Sequence, residues 1–571
     1  MTMRARLVVL IFLLATPALE LVTAVAVLRP ATASPGSSSP TPSHEPSAKA
    51  GALPPALLPG LGSYHHPITT KSPEAQQQFD QGLTLVFGFN HEEAIRSFEK
   101  AAALDPDAAM PWWGIAYALG PNINLPMAPE SGQRAFAAVQ KALALSTQGA
   151  ESERAYIEAL AKRYSADPQA DQNRLNVDYK NAMRDLMTQY PDDLDAATLY
   201  AESLMDLRPW KLWSLDGKPA EGTLEIVAVL ESALRRDPDH PGANHYYIHA
   251  VEASPNPERG LASARRLESM IPGAGHLVHM PAHIYSRTGD HAASAKANAA
   301  AVEADRRYLK LTAAPGMYPL MYYSHNLHFL AYDRMMQGRY ADAKKSAEEL
   351  VAHLAPSLKA MPMVDSFLPT PLFVDLRFGK WDSILRTPDP PRAAPTTAAL
   401  RHFARGIAYA ATFRPEEARK ERERFAEAAK KVPPEATFGG TGLSSAAAAL
   451  AIAASMLDAR IAAAAGNRRE AIESWRKAVA AQDLLAYDEP PCWYYPIRES
   501  LGGELLRDGQ AVEAEKVFRE DLERDPRNPR SLFGLGEALK AQGKSSAVEC
   551  VARQLRAAWK DADSSLSVGG L

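Results

Sequence analysis

The chain has 571 residues, with 63 Lys+Arg against 67 Asp+Glu, a formal charge of −4 and 46% hydrophobic residues. That length and apolar content suffice for several domains with buried cores, while a near-neutral balance without a long basic run argues against nucleic acid as a partner. Two cysteines, Cys492 and Cys550, exclude a disulfide framework or thiolate cluster and leave room for one bridge at most, so a metal would have to be held by His and carboxylates.

Arg4 and Arg6 precede an apolar run from Leu7 to Leu19, and Ala31-Thr32-Ala33 supplies a small-x-small pattern ahead of a Pro/Ser-rich stretch. This is the layout of a secretory signal over residues 1–33, so the protein is expected to be exported, periplasmic or extracellular, with no stable membrane span after cleavage. The apolar region continues to Leu28, which makes an uncleaved anchor the competing reading; Pro17 and Glu20 weaken it. Residues 34–71 are rich in Pro, Ser and Ala and read as a flexible linker.

From Ser72 onward apolar residues recur at three- and four-residue spacing, broken by Gly and Asp-Pro, and period-two runs are nearly absent. An all-α fold follows. Gly82, Ala94, Phe98 and Pro106 have the same mutual offsets as Gly502, Ala514, Phe518 and Pro526. Gly536 lies 34 residues after Gly502, and Ala471, Trp475 and Ala478 repeat the second half of the pattern. Small residues let two antiparallel helices approach, the aromatic fills the gap between them, and Pro ends the second helix. The pattern resembles the tetratricopeptide repeat, and the resemblance implies a right-handed superhelical solenoid of antiparallel helix pairs. On this reading an N-terminal solenoid spans 72–360, a Pro-rich interruption spans 361–397, a C-terminal solenoid spans 398–561, and 562–571 form a flexible tail.

Nine of the fifteen His lie between His240 and His328. His245-x-x-x-His249 recurs as His279-x-x-x-His283, with both members displaced by 34 residues, as are Pro238 and Pro272. Residues i and i+4 share a helix face, so each pair points two imidazoles the same way, and repeat phase places the two pairs side by side in the groove. His276 extends the stripe, Glu252 adds a carboxylate three residues after His249, and His325 with His328 offers a further pair. Several His with one carboxylate suit a transition metal, Cu, Zn, Fe or Ni, and the spacing does not choose among them. Neutral His stacked on groove aromatics is the competing account. His240 and His291 fit turns better than the stripe.

Tyr247, Tyr285 and Tyr323 accompany the His stripe as candidate ligand contacts, and of Trp112-Trp113 core packing explains one while the other could face the groove, Trp113 being the candidate. The segment Tyr487–Arg498 is an aromatic, charged connector that could deliver Glu489, Trp493 or Arg498 to a ligand. No catalytic residue is assigned.

The combination of Phe89-Asn90-His91-Glu92-Glu93-Ala94, Gly120-Pro121-Asn122-Ile123-Asn124, Ile248-His249-Ala250-Val251-Glu252-Ala253, Gly275-His276-Leu277-Val278-His279-Met280-Pro281-Ala282-His283-Ile284-Tyr285 and Glu489-Pro490-Pro491-Cys492-Trp493-Tyr494 resembles a group of exported bacterial tetratricopeptide proteins. The resemblance implies fold and compartment and carries no activity with it. Two functions therefore stand side by side. One is a solenoid with a transition-metal site in its groove, acting as carrier or metal-dependent enzyme. The other is a metal-free scaffold whose groove binds a protein, peptide or small-molecule ligand in the cell envelope.

Overall fold

The computed structural model describes residues 57–128 and 130–571. The expected signal and most of the expected linker lie outside the described residues. What is described is a continuous run of helix pairs from Pro73–Phe87 and His91–Leu104 to Pro529–Ala541 and Ser545–Ala558. The sheet content among the described residues is one two-residue pairing, Thr437–Phe438 with Ser444–Ser445, apart from isolated bridges.

Local chemistry explains where helices begin. Ser72 accepts from the Ala75 amide with Pro73 in the first turn, and Asn90, Asp193 and Asn467 cap later helices through their side chains. The pairs are locked by an aromatic in a glycine notch. A Cβ on Gly82 or Gly114 would sit 2.5 or 2.6 Å from the Phe98 ring, so Phe98 fills the space between the first helix of its own pair and that of the next. Phe518 does the same between Gly502 and Gly534, at 2.4 and 2.1 Å.

Three expectations are corrected. Residues 361–397 do not interrupt the stack: Thr370–Arg377 and Trp381–Arg386 form a short helix pair between Tyr340–Leu354 and Pro395–Ala411. Three of the prolines expected to break helices instead start them, Pro362, Pro371 and Pro395 standing in first turns where no amide donor is needed, while Pro388, Pro390 and Pro391 lie in the connector after Trp381–Arg386. Residues 562–571 are docked. The Arg507, Arg530 and Arg460 guanidiniums donate to the carbonyls of Val568, Gly570 and Leu571 at 2.6, 2.8 and 3.0 Å, and the Leu571 side chain is buried. Both cysteines are free.

The run of pairs winds until distant members touch. The turn at Gly289 (φ 76°) packs against the Pro526 carbonyl, so close that a Cβ would lie 1.8 Å from it, and Arg527 donates to the Thr288 carbonyl at 3.1 Å. This closure carries the connector around Glu489 to the helices that hold the histidines.

Residues 58–70, expected to belong to a linker, are pinned along the first pairs. Leu58 donates to Gln81 Oε1 at 2.7 Å, Tyr64 donates to Asp195 at 2.8 Å, and His66 Nδ1 lies 2.7 Å from the other Asp195 oxygen. Burial opposes charge on His66, but the hydrogen bond and charge of Asp195 outweigh it and raise the imidazole above 6.5; Asp195 itself is held below 3.8 against its burial by His240 and His66. A raised His stabilises below its unfolded value and loses that contribution as pH rises through its folded value, while a depressed Asp stabilises above its unfolded value. The strap is therefore held most firmly between pH 3.8 and 6.5. Hydrogen-exchange opening free energies for residues 64–70 should fall from about pH 6 to about pH 9 in the wild type and become nearly flat in Asp195→Asn.

Candidate metal centre

Three short segments build the site. Pro241–Val251 carries His245 and His249 and ends at Glu252. Its start is fixed by His240, whose Nδ1 accepts the Ala243 amide at 3.2 Å with Pro241 in the first turn. The second segment, Gly275–His279 followed by Pro281–Arg287, bends at Pro281 and presents His276, His279 and His283. Ser324–Met336 adds His325.

The rings form two triads. One ring nitrogen each from His245, His249 and His276 lies within 4.8 Å of the others, and the same holds for His279, His283 and His325. In the second triad His279 Nε2 is 2.6 Å from His283 Nε2 and 3.0 Å from His325 Nε2; in the first, His245 Nε2 is 3.2 Å from His276 Nε2. The triads touch, with His249 and His283 centroids 5.5 Å apart and His276 and His279 centroids 5.7 Å apart.

The outward nitrogens are mostly committed. His245 Nδ1 donates to the Phe87 carbonyl at 2.5 Å and His279 Nδ1 to Asn298 Oδ1 at 2.6 Å. Asn298 is oriented by its own amide, which donates to Asp333 at 3.1 Å. Glu252 accepts from His249 Nδ1 on one oxygen, at 2.8 Å, and from His283 Nδ1 on the other. With Nδ1 protonated, the Nε2 atoms of neutral rings carry free lone pairs toward each other. Buried His249 Nε2 has no hydrogen-bond partner. An ion bound at about 2.0–2.1 Å by two imidazoles holds their nitrogens about 3.3 Å apart; the 3.2 and 3.0 Å spacings come near this, while the 2.6 Å between His279 and His283 is that of a hydrogen bond and would have to open to admit an ion.

Electrostatics agree with the geometry. Burial, reinforced by neighbouring rings, holds His245, His276, His279 and His325 well below the usual imidazole value, and burial lowers His249 despite Glu252. His283 is the exception: burial opposes its charge, yet Glu252 and Glu489 raise it to about 10. Glu489 arrives from the distant connector, with its Oε2 2.6 Å from His283 Nδ1. Burial raises Glu489 to about 7, partly offset by His283. Glu252, against the same penalty, is lowered to about 2 by His283 and His249.

The remaining sequence candidates stand outside the triads, with Glu489, Trp493 and Arg498 on the wall of an adjacent cleft. His328 turns from the triads, its ring 5.3 Å from Phe367. Tyr247, Tyr285 and Tyr323 hydrogen-bond through their hydroxyls to Glu231, Glu268 and Glu349 on neighbouring helices and do not join the cluster. Trp113 is buried core, stacked on Tyr117 at 5.4 Å. Trp493 packs on Phe373 and Phe403, and Arg498 makes a two-pronged pair with Asp483 at 2.8 and 2.7 Å. Glu252 sits behind the inward-facing nitrogens as a shared acceptor. A cleft of about 1490 Å³ runs beside the centre, lined among others by Trp210, Arg287, Tyr487, Glu489 and Trp493.

Two aromatics escaped the sequence reading. Phe89 stacks on His276 and His249 with centroids at 5.5 and 6.0 Å and lies 4.5 Å from His245, while Trp210 meets His249 edge-on at 5.6 Å. Both have left-handed backbones, φ 54° and 59°. Phe89 occupies the turn position that Gly289, Gly466 and Gly509 hold in other pairs, each just before a second helix. A bulky residue there costs roughly 1–2 kcal/mol. That exception to the glycine pattern was the available signal.

No family model matches the chain, and no curated protein matches it. Solved structures are similar in helical-repeat architecture. The human IFIT1 dimer with m7Gppp-AAAA is 14% identical with a TM-score of 0.32, covering 86% of this chain and 91% of that one. Yeast Tom70 is 12% identical with a TM-score of 0.27, covering 85% and 93%. The TPR-like repeats of a Podosopora anserina kinesin light chain are 18% identical with a TM-score of 0.22, covering 43% and 97%.

Removing the shared acceptor should unsettle both triads. Glu252→Ala leaves buried His249 without a carboxylate and His283 with Glu489 alone, and urea unfolding in the presence of chelator should show a loss of about 3–5 kcal/mol. A loss below about 1 kcal/mol would mean that Glu252 does not anchor the rings.

Proposed function

We propose that this is a transition-metal protein whose helix pairs build a buried six-histidine centre beside a ligand cleft. The observation that carries the reading is the convergence of His279, His283 and His325 through Nε2, while His279 and His283 give their Nδ1 protons to Asn298 and Glu252. Such outer acceptors set the tautomer and aim the ring at an ion. A charged His283 spans its 2.6 Å separation from His279 with a proton, and a metal ion would take that proton's place as the positive charge between the two nitrogens. The ion's chemistry is that of a Lewis acid or redox centre on an imidazole platform.

The cleft supports an enzyme over a store. Glu489 lines the cleft and pairs with His283, and Trp210 lines it and meets His249, so a bound ligand is one side chain from the ions. In this role His245, His249, His276, His279, His283 and His325 hold metal, Glu252 and Asn298 position them, and Phe89 and Trp210 shield them from water. The compartment that fits is outside the cytoplasm, supported by the basic, apolar and small-x-small order of residues 4–33. A second reading, a scaffold for an extended peptide, is favoured by the cleft's volume, which exceeds the ~300–1,000 Å³ common for small-molecule sites.

Protein stripped with chelator and titrated with Zn(II) or Cu(II) should retain stoichiometric metal through gel filtration. Asn298→Ala should weaken retention about 10–100-fold, and His328→Ala should leave it unchanged. Equal retention by wild type and a variant with His279, His283 and His325 replaced by Ala would overturn the assignment.

A further inference from the structure

Arg287 follows His283 by four residues on Pro281–Arg287, so both side chains leave the same face of the helix, about 6 Å apart along its axis. His283 belongs to a triad, while Arg287 lines the cleft. Its guanidinium is held from two sides: Nε donates to the Glu252 carbonyl at 3.0 Å, and Cζ lies over the Tyr487 ring, 5.6 Å from the centroid. The residue whose carboxylate orients His249 and His283 thus orients this guanidinium through its backbone.

The other arginines that line the cleft, Arg498 and Arg524, are both paired with Asp483. Arg287 makes no ion pair among the described residues: Glu489 is paired with His283, and Asp525, on the same cleft wall, lies beyond ion-pair distance of it. With Nε bound to a carbonyl, the two Nη groups remain as parallel donors, the fork that takes an oxyanion on both of its oxygens. Holding the fork in place beforehand lowers the ordering cost of binding.

The mouth of the cleft is apolar. Leu215, Leu443 and Leu484 are exposed and line it, each from a different loop, beside Trp210 and Trp213. Trp213 is fixed there by its indole N–H, which donates to the Ala250 carbonyl at 2.8 Å. Single exposed leucines are ordinary on a protein surface, but three around one opening make a contact surface for an apolar ligand.

We infer that the cleft binds an organic anion, with a carboxylate or phosphate head on Arg287 and an apolar body along Trp210, Trp213 and the three leucines. This ligand class rests on the reading of the cleft given above and is independent of which ion the triads hold. Seating the head one helical turn from His283 places the first atoms of the body on the metal side of the cleft.

The test is calorimetric titration of the full, chelator-stripped chain, in which no ion can take the anion instead. Octanoate and octyl phosphate are compared with octanol, which lacks the charge, and with acetate and inorganic phosphate, which lack the body. At least one octyl anion should bind about 10–100-fold more tightly than octanol, the worth of one charge-assisted pair, and more tightly than its head group alone; the tighter of the two identifies the head. Arg287→Gln should remove most of that advantage, and Arg287→Lys, which keeps the charge but loses the fork, should also weaken the anion. Both variants should still retain metal when reloaded. Octanol or the bare head groups binding as tightly as the octyl anions, octyl anions that bind both Arg287 variants as they bind the wild type, or a wild type that binds none of the five probes overturns the anion site and leaves the metal centre standing. Wild-type chain that binds the octyl anions as expected but takes up no metal on reloading overturns the metal reading alone.

Discussion

The structure turns on what one buried carboxylate does to two imidazoles. Glu252 takes an Nδ1 proton from His249 and another from His283. The cost of burying that carboxylate is offset by the two rings, which is why it is lowered to about 2 in an environment that by itself would raise it. Fixing the outer nitrogens fixes the inner ones. Asn298 and the Phe87 carbonyl apply the same constraint to His279 and His245, so the lone pairs point inward because the protons have been given away outward.

The helical repeats supply the positions. Successive first helices sit side by side, so a 34-residue displacement in sequence becomes a lateral step in space, and two His-x-x-x-His pairs become facing rows. Closure of the winding then adds a contact that no repeat contains, Glu489 against His283. Strain concentrates at the same place. Phe89 and Trp210 both adopt left-handed backbones with their rings against His249, and the surrounding packing holds a conformation that a glycine would accept at no cost. The exposed Phe413 shares that backbone without facing any site, so the strain alone does not identify function.

The fold class and the pairing of helices were legible because Gly82, Phe98, Gly502 and Phe518 carry their packing partners at fixed offsets. The six rings were legible as candidates because the offset between the His pairs equals the repeat length. Position-specific contacts were not. Tyr247, Tyr285 and Tyr323 each stand two residues from a histidine of the cluster, about 200° around a helix, and their hydroxyls go to glutamates on neighbouring helices. His328 is about one turn from His325, yet its ring packs against Phe367. The prolines between 361 and 397 misled by number: Pro362, Pro371 and Pro395 stand at first turns, which composition does not reveal. Phe89 could have been flagged by its place in a turn position that glycine holds in other pairs, though that exception does not say which way the ring faces.

The most direct measurement is anomalous diffraction from crystals of untagged protein purified from its own compartment, recorded on both sides of the copper and zinc absorption edges. The account predicts a peak inside each triad, at about 2.0–2.1 Å from the Nε2 atoms, with Glu252 behind both. Anomalous density confined to surface carboxylates, with none in either triad even after soaking in metal, would contradict it.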